Sequence, residues 1–366
     1  MKKVILFLIL FLIPINVFSD SGNSTIVMDV GSGRVLYQKN VNQKKLIAST
    51  TKIMTCIIVL ENSDIEKLVI VGDEVLSMYG TNIYIEKGEV IKIKDLLYGL
   101  MLRSGNDAAI TLAYNTLGYE GFINKMNEKA KEIGMTNTSF NNPHGLDDDT
   151  KNYSTAYDMA LLSRYAYNNP TYREIISTKK YVTKSSLKSY VWYNRMSLLN
   201  KYKNCVGGKN GYTPRAGKSL VSYAQKEDLL LTIVSLDDDS IYENHINLYN
   251  KYFSKYKKYR IVDNGYFSIN NSNYYIDKSF EYPLTLKETS RISTLLKINS
   301  NSYSMKVGKI EIYLDDNSIG SVDIYRKKDI KKEKKNLLKK FISLFSWYSI
   351  EVNWWSTKQS KSICSS

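Results

Sequence analysis

Histidine is nearly missing from this chain, with two in 366 residues, His144 and His245. A histidine-rich metal centre is therefore excluded. Cysteine is almost as scarce. Cys56, Cys205 and Cys364 are odd in number and widely scattered, so they form neither a disulfide framework nor a CxxC metal or redox motif. Long apolar runs are short of what a bilayer needs. The longest at the start, Val4 to Ile13, has ten residues, and the uncharged stretch Phe341 to Ile350 is no longer. A polytopic membrane protein is excluded on that ground. Acidic residues are also in deficit, 36 against 51 Lys and Arg, for a net charge of +15. Such an excess points to a polyanionic neighbour. What remains is ordinary globular chemistry, with 43% hydrophobic and 24% charged residues. At 42.1 kDa the chain has room for about two domains.

The two ends differ from the middle. Residues 1–19 read as a signal peptide: Lys2 and Lys3, the apolar run, then Val17-Phe18-Ser19 at the cleavage offsets. Residues 326–340 hold nine Lys/Arg against Asp329 and Glu333. An apolar stripe follows at Leu337, Leu338, Phe341, Leu344, Phe345, Tyr348, Val352 and Trp355. That spacing is one face of a helix. Basic flanks with Trp and Phe on the apolar side predict an anchor on an anionic membrane surface through residues 327–355. The same stripe also fits a terminal helix docked on the protein itself.

Between the ends, TIVMDV (25–30) and RVLYQ (34–38) predict a hairpin around Gly31-Ser32-Gly33. Helical patterns follow after Ser49, over 94–117, 122–133 and 155–167, and strand character returns at 219–224 and 229–236. Residues 137–153 are a polar loop. Beyond about 258, short alternating runs predict a small all-β domain. The expected division is 1–19 signal peptide, 20–257 main domain, 258–326 β-domain and 327–366 basic helix and tail. No repeat of fixed period occurs.

Three short motifs carry chemistry. Ser49-Thr50-Thr51-Lys52 opens the first long helix, with Ser and Lys on one face. A lysine of lowered pKa can take the serine proton, and the helix N-terminus offers N–H groups to an oxyanion. Alone, S-x-x-K is common in a lysine-rich chain and also reads as a helix cap. Ser104-Gly105-Asn106 and Lys209-Asn210-Gly211 follow in order. Other signals are plain. His144 reads as a structural loop residue, His245 as part of a surface helix and Cys56 as core. Asp147–Asp149 and Asp237–Asp239 read as solvated loops without EF-hand spacing. Ala216-Gly217-Lys218-Ser219 lacks the earlier glycine of a P-loop. With the basic residues gathered beside an apolar helix, nucleic acid is not the expected partner.

The order S-x-x-K, S-x-N, K-x-G is similar to that of penicillin-binding proteins and serine β-lactamases. The longer stretches Ile47–Thr55, Asp95–Ala109, Asn142–Leu146 and Gly211–Gly217 resemble the D-alanyl-D-alanine carboxypeptidases of peptidase family S11, the low-molecular-mass penicillin-binding proteins. The similarity runs from about residue 24 to 325. It implies an α+β fold of the β-lactamase/DD-peptidase type, with helices around an antiparallel sheet, then a small β-sandwich and an amphipathic helix. It implies Ser49 as nucleophile, Lys52 as its base and Ser104 as proton relay. Asn106, Lys209, Asn210, Gly211 and Tyr212 would bind substrate, with an oxyanion hole from the N–H groups of Ser49 and Tyr212. The substrate would be the peptidoglycan stem peptide. β-Lactams would be covalent inhibitors, no cofactor or metal is needed, and the site would lie on the extracytoplasmic face of the membrane. Two positions depart from the family pattern. Asn210 stands where Thr is usual, and Ile47 where Pro is common. Asn210 keeps open a penicillin-binding sensor or wall scaffold without turnover. A β-lactamase is disfavoured, because Glu120-Gly-Phe-Ile-Asn124 falls too early to supply a deacylating carboxylate.

Overall fold

The computed structural model describes residues 23–269, 272–299 and 305–326, and the backbone of Tyr348–Glu351. Its first unit is built on a five-stranded antiparallel sheet. The strand Ser24–Asp29 pairs on one side with Val35–Lys39 and on the other with Leu229–Leu236, followed outward by Gly217–Lys226 and Cys205–Thr213. The hairpin expected at the N-terminus is present.

Both faces of this sheet are covered, and strand alternation sorts the side chains between them. Ile26, Met28, Val221, Tyr223, Val234 and Leu236 face a large core under the helices Lys52–Asn62, Asn106–Leu117, Tyr119–Glu132 and Ala156–Tyr167. Val27, Leu220, Ala224, Leu231 and Ile233 face the opposite way, against the helix Ile241–Lys255. That helix presents Ile241, His245, Tyr249, Tyr252 and Phe253 to the sheet. His245 is therefore not on the surface. It is fully buried, 2.7 Å from Ser222 Oγ through Nδ1 and 3.1 Å from Ser235 Oγ through Nε2. The helix has a whole sheet face to cover, and its i, i+4, i+8 row turns inward to do so.

The second unit is all β. A six-stranded sheet runs in the order Gly265–Ile269, Ser272–Ile276, Asn317–Arg326, Lys306–Leu314, Ile292–Ile298, Tyr348–Glu351. The pair Lys257–Val262 and Phe280–Leu284 packs on it, joining Ile261, Tyr282 and Leu284 to Ile292, Ile312 and Leu314. Arg34 ties the units together. It donates to Pro283 O and to both carboxylate oxygens of Glu288, and its guanidinium lies 5.2 Å from the ring centres of Tyr256 and Tyr282.

The helix expected over 327–355 is corrected where it is described. Tyr348–Glu351 is a strand, antiparallel to Ile292–Ile298 with Leu296 opposite Ile350. An open sheet edge presents unpaired N–H and C=O groups, and a segment with Tyr and Ile satisfies them in strand form. The rest of 327–366, like the signal segment 1–19, lies outside the described residues. Among the described residues no helix is long and apolar enough to cross a membrane.

Candidate active site

Ser49 lies in a short 3₁₀ turn, Ala48–Thr51, that leads directly into the helix Lys52–Asn62. The turn is tense: Ala48 has φ +46°, a left-handed conformation uncommon for alanine. Its surroundings hold it there. Thr50 Oγ1 donates to Ile47 O at 2.6 Å, Thr55 Oγ1 to Pro143 O at 2.6 Å, and Asn152 Nδ2 to Thr51 Oγ1 at 3.0 Å. Two glycines allow the close approaches. A Cβ on Gly145, which has φ +92°, would meet Ala48 O at 2.0 Å. A Cβ on Gly211 would lie 2.8 Å from Ser49 N and 3.0 Å from Thr50 N. Only glycine lets the loop and the strand Cys205–Thr213 press against the serine turn from two sides.

Lys52 is fully buried at the first helical position. Its Nζ is 3.0 Å from Ser49 Oγ, 2.7 Å from Asn106 Oδ1 and 2.6 Å from His144 O. Burial, reinforced by the positive charge of Lys209 and opposed by Asp107, holds its pKa well below that of a free lysine. The geometry suits a neutral amine. Asn106 Oδ1 and His144 O can only accept, so they take two N–H groups. The lone pair then faces the Ser49 hydroxyl, which can donate to it.

Ser104 sits at φ +66° in the turn between Gly99–Arg103, a π-helical segment, and the helix starting at Asn106. Asn106 is fixed at both ends: its N–H donates to Thr81 O at 2.8 Å and its Nδ2 to Tyr79 O at 2.8 Å. Asp107, which the motifs did not single out, organises the facing loop. Its carboxylate accepts from the N–H groups of Ile83, Tyr84, Ile85 and Ala108. Burial nevertheless pushes its pKa up. An acidic residue in the first turn of a helix was the available signal.

Lys209 is on the edge strand of the five-stranded sheet and is 1% exposed. Its Nζ donates to Asn210 O at 2.7 Å. Burial, and then the nearby guanidinium of Arg195, lower its pKa to about 7. Tyr212, three residues on, is exposed. Ser49, Lys52 and Asn106 thus form one hydrogen-bonded cluster, with the Gly211 backbone against it. Among the described residues, no hydrogen bond joins the side chains of Ser104 or Asn210 to that cluster.

The polar loop 137–153 is less solvated than its composition indicates. Asn142 Oδ1 accepts from the N–H groups of His144 and Gly145, which aims the His144 carbonyl at Lys52. The His144 ring accepts from Leu146 N at 3.2 Å instead, and burial followed by the Lys52 charge lowers its pKa to about 3. Asp147 is buried, not solvated: Thr213 Oγ1 donates to it at 2.8 Å, and Arg215 Nη1 donates to its carbonyl at 2.9 Å. Asp238 is buried as well, accepting from Asn244 Nδ2 at 2.9 Å. Both are corrections, since these acids complete loops packed on the sheet ends.

An α+β sheet sandwich with a serine–lysine pair at a helix start and a third motif on the sheet edge defines a DD-peptidase-type protein. Residues 17–240 match the family model described as D-alanyl-D-alanine carboxypeptidase, peptidase S11, and the chain belongs to that family. It is 36% identical over 213 residues to the D-alanyl-D-alanine carboxypeptidase DacF of Bacillus subtilis, covering 56% of this chain and 54% of that one. The match therefore spans about half of that relative's length. A solved D-alanyl-D-alanine carboxypeptidase from Mycobacterium tuberculosis superposes with TM-score 0.61 at 30% identity, over 63% of this chain and 90% of that one. Penicillin-binding protein 5 of Haemophilus influenzae shares the fold over 83% of this chain and 95% of that one, with TM-score 0.70 at 23% identity.

Proposed function

We propose that this chain is an exported serine-type D-Ala-D-Ala carboxypeptidase that removes the terminal D-Ala from peptidoglycan pentapeptide stems. The observation that carries this reading is the 3.0 Å approach of Lys52 Nζ to Ser49 Oγ, with the amine's other two contacts made to pure acceptors. Ser49 Oγ attacks the carbonyl carbon of the penultimate D-Ala while its proton passes to Lys52. Backbone N–H groups of Ser49 and Tyr212 hold the oxyanion. The C–N bond then breaks, the departing amine of D-Ala receives a proton by way of Ser104, and an ester to Ser49 remains. Asn106 fixes Lys52 and a substrate amide, and Lys209 attracts the terminal carboxylate. Water hydrolyses the ester. A β-lactam carries a strained amide that Ser49 opens in the same way.

Residues 1–19 direct export in this reading, and residues 327–355, apart from the strand Tyr348–Glu351, hold the protein at the extracytoplasmic surface of the cytoplasmic membrane. The test is D-alanine release from diacyl-L-Lys-D-Ala-D-Ala by the mature chain, with Ser49→Ala as control and fluorescent-penicillin labelling in parallel. Release that vanishes in the variant supports the carboxypeptidase. Labelling without release would replace it with the penicillin-binding sensor or scaffold that Asn210 keeps open.

A further inference from the structure

The hairpin of Lys180–Lys184 and Ser189–Tyr193 stands apart from the cleft chemistry. Its inner face is firmly packed. Tyr181 stacks on Tyr98 at 3.7 Å between ring centres and lies parallel to Trp192, while the buried Tyr190 hydroxyl donates to Glu89 at 2.6 Å. Its tip is also fixed, with Ser186 N donating to Val90 O at 2.9 Å and Val90 N to Ser186 Oγ at 2.8 Å. The outer face is different. Val182 pairs across the strands with Val191, and Lys180 with Tyr193. Val182, Val191 and Tyr193 are each more than half exposed, as is Leu187 at the tip. A rigid hairpin thus presents four apolar side chains to the outside.

Charge tells which partner such a face fits. The stretch 179–195 contains Lys179, Lys180, Lys184, Lys188 and Arg195 and no acidic residue. Lys188 is paired with Glu86, and Lys180 lies over the Tyr193 ring. The partner must therefore be anionic on its surface and apolar just beneath. Four side chains cannot supply the roughly 1,000 Å² of a stable protein interface. Aliphatic and Tyr side chains with Lys180 and Lys184 on the same hairpin match the headgroup boundary of a membrane, where lysines lay their stems on the apolar layer and keep their heads in water.

We propose that the outer face of this hairpin docks on an anionic bilayer surface, as a contact separate from residues 327–355. This rests on the reading of the protein as exported, but its test is independent of D-alanine release.

An environment-sensitive fluorophore is placed at Leu187→Cys in a full mature chain carrying Cys205→Ser and Cys364→Ser. Vesicles of equal parts phosphatidylglycerol and phosphatidylcholine are compared with phosphatidylcholine alone. The expected result is a blue shift with the anionic vesicles only, weakened by salt. Lys180→Gln and Lys184→Gln lower the partition coefficient roughly fivefold each, and Val182→Ser with Val191→Ser abolishes the shift. Unchanged penicillin labelling of these variants shows that they are folded. Vesicle binding without any shift at position 187 would overturn the proposal, by assigning all binding to another segment. So would equal binding by the variants, or an equal shift with a soluble anionic polysaccharide, which would make the partner a wall polymer.

Discussion

Lys52 Nζ and Ser49 Oγ are 3.0 Å apart, in a pocket where the ammonium is disfavoured by burial and by a second lysine. Two fixed acceptors leave the amine one free direction, toward the Ser49 hydroxyl. Replacing Lys52 with Ala should lower the rate of acylation by a fluorescent penicillin by about 10²–10⁴-fold. Lys52→Arg should do nearly as much damage, since a guanidinium stays protonated. Stopped-flow labelling would measure both, and near-normal acylation of Lys52→Arg would refute a neutral lysine base.

Gly145 and Ala48 make the tightest approach in the site. Gly145→Ala puts a Cβ 2.0 Å from Ala48 O at a position with φ +92°. The fold should lose about 2–4 kcal/mol. Acylation should fall more steeply than stability, because the displaced carbonyl moves the Ser49 turn. Thermal unfolding read beside penicillin labelling separates the two effects.

Lys209 gives the site a pH dependence. Its pKa in the folded chain is about 7, below its ordinary value, so it is charged in acid and neutral above that point. KM for a peptide with a free terminal carboxylate should rise from pH 7 to 9, while KM for the amidated peptide stays flat. Stability runs the other way. Between about 7 and the ordinary lysine range the unfolded chain binds the extra proton, so stability increases with pH there. Lys209→Met should therefore raise Tm at pH 7 while raising KM. Asn210→Thr should increase kcat/KM for the same peptide by placing a hydroxyl donor beside Lys209, and an unchanged value would show that Asn210 does not limit turnover.

His245 makes the fold sensitive to acid. Burial lowers its pKa to about 3, against an ordinary 6.5. Above pH 6.5 neither state is protonated and the full stability is present. As pH falls from 6.5 toward 3 the unfolded chain takes up the proton first, and stability is lost at up to about 1.4 kcal/mol per pH unit. His144 acts in the same direction. Urea unfolding of His245→Asn between pH 4 and 7 should show a shallower slope than wild type.

The covalent sequence determined a good deal by itself. The β-like runs TIVMDV and RVLYQ around Gly31-Ser32-Gly33 and the periodicity after Ser49 are local properties, so the N-terminal hairpin and the first helix were legible. The S-x-x-K spacing puts two side chains on one turn whatever else the chain does. Only tertiary structure decided the rest, because it depends on groups far apart in the chain. The Lys52 amine loses basicity only when the fold buries it and brings Lys209 near. His245 reads as a surface residue until a helix is needed to cover a sheet face. Tyr348–Glu351 reads as part of a helix by its spacing, yet it pairs with Ile292–Ile298 because an open edge offers hydrogen bonds that a local pattern cannot anticipate.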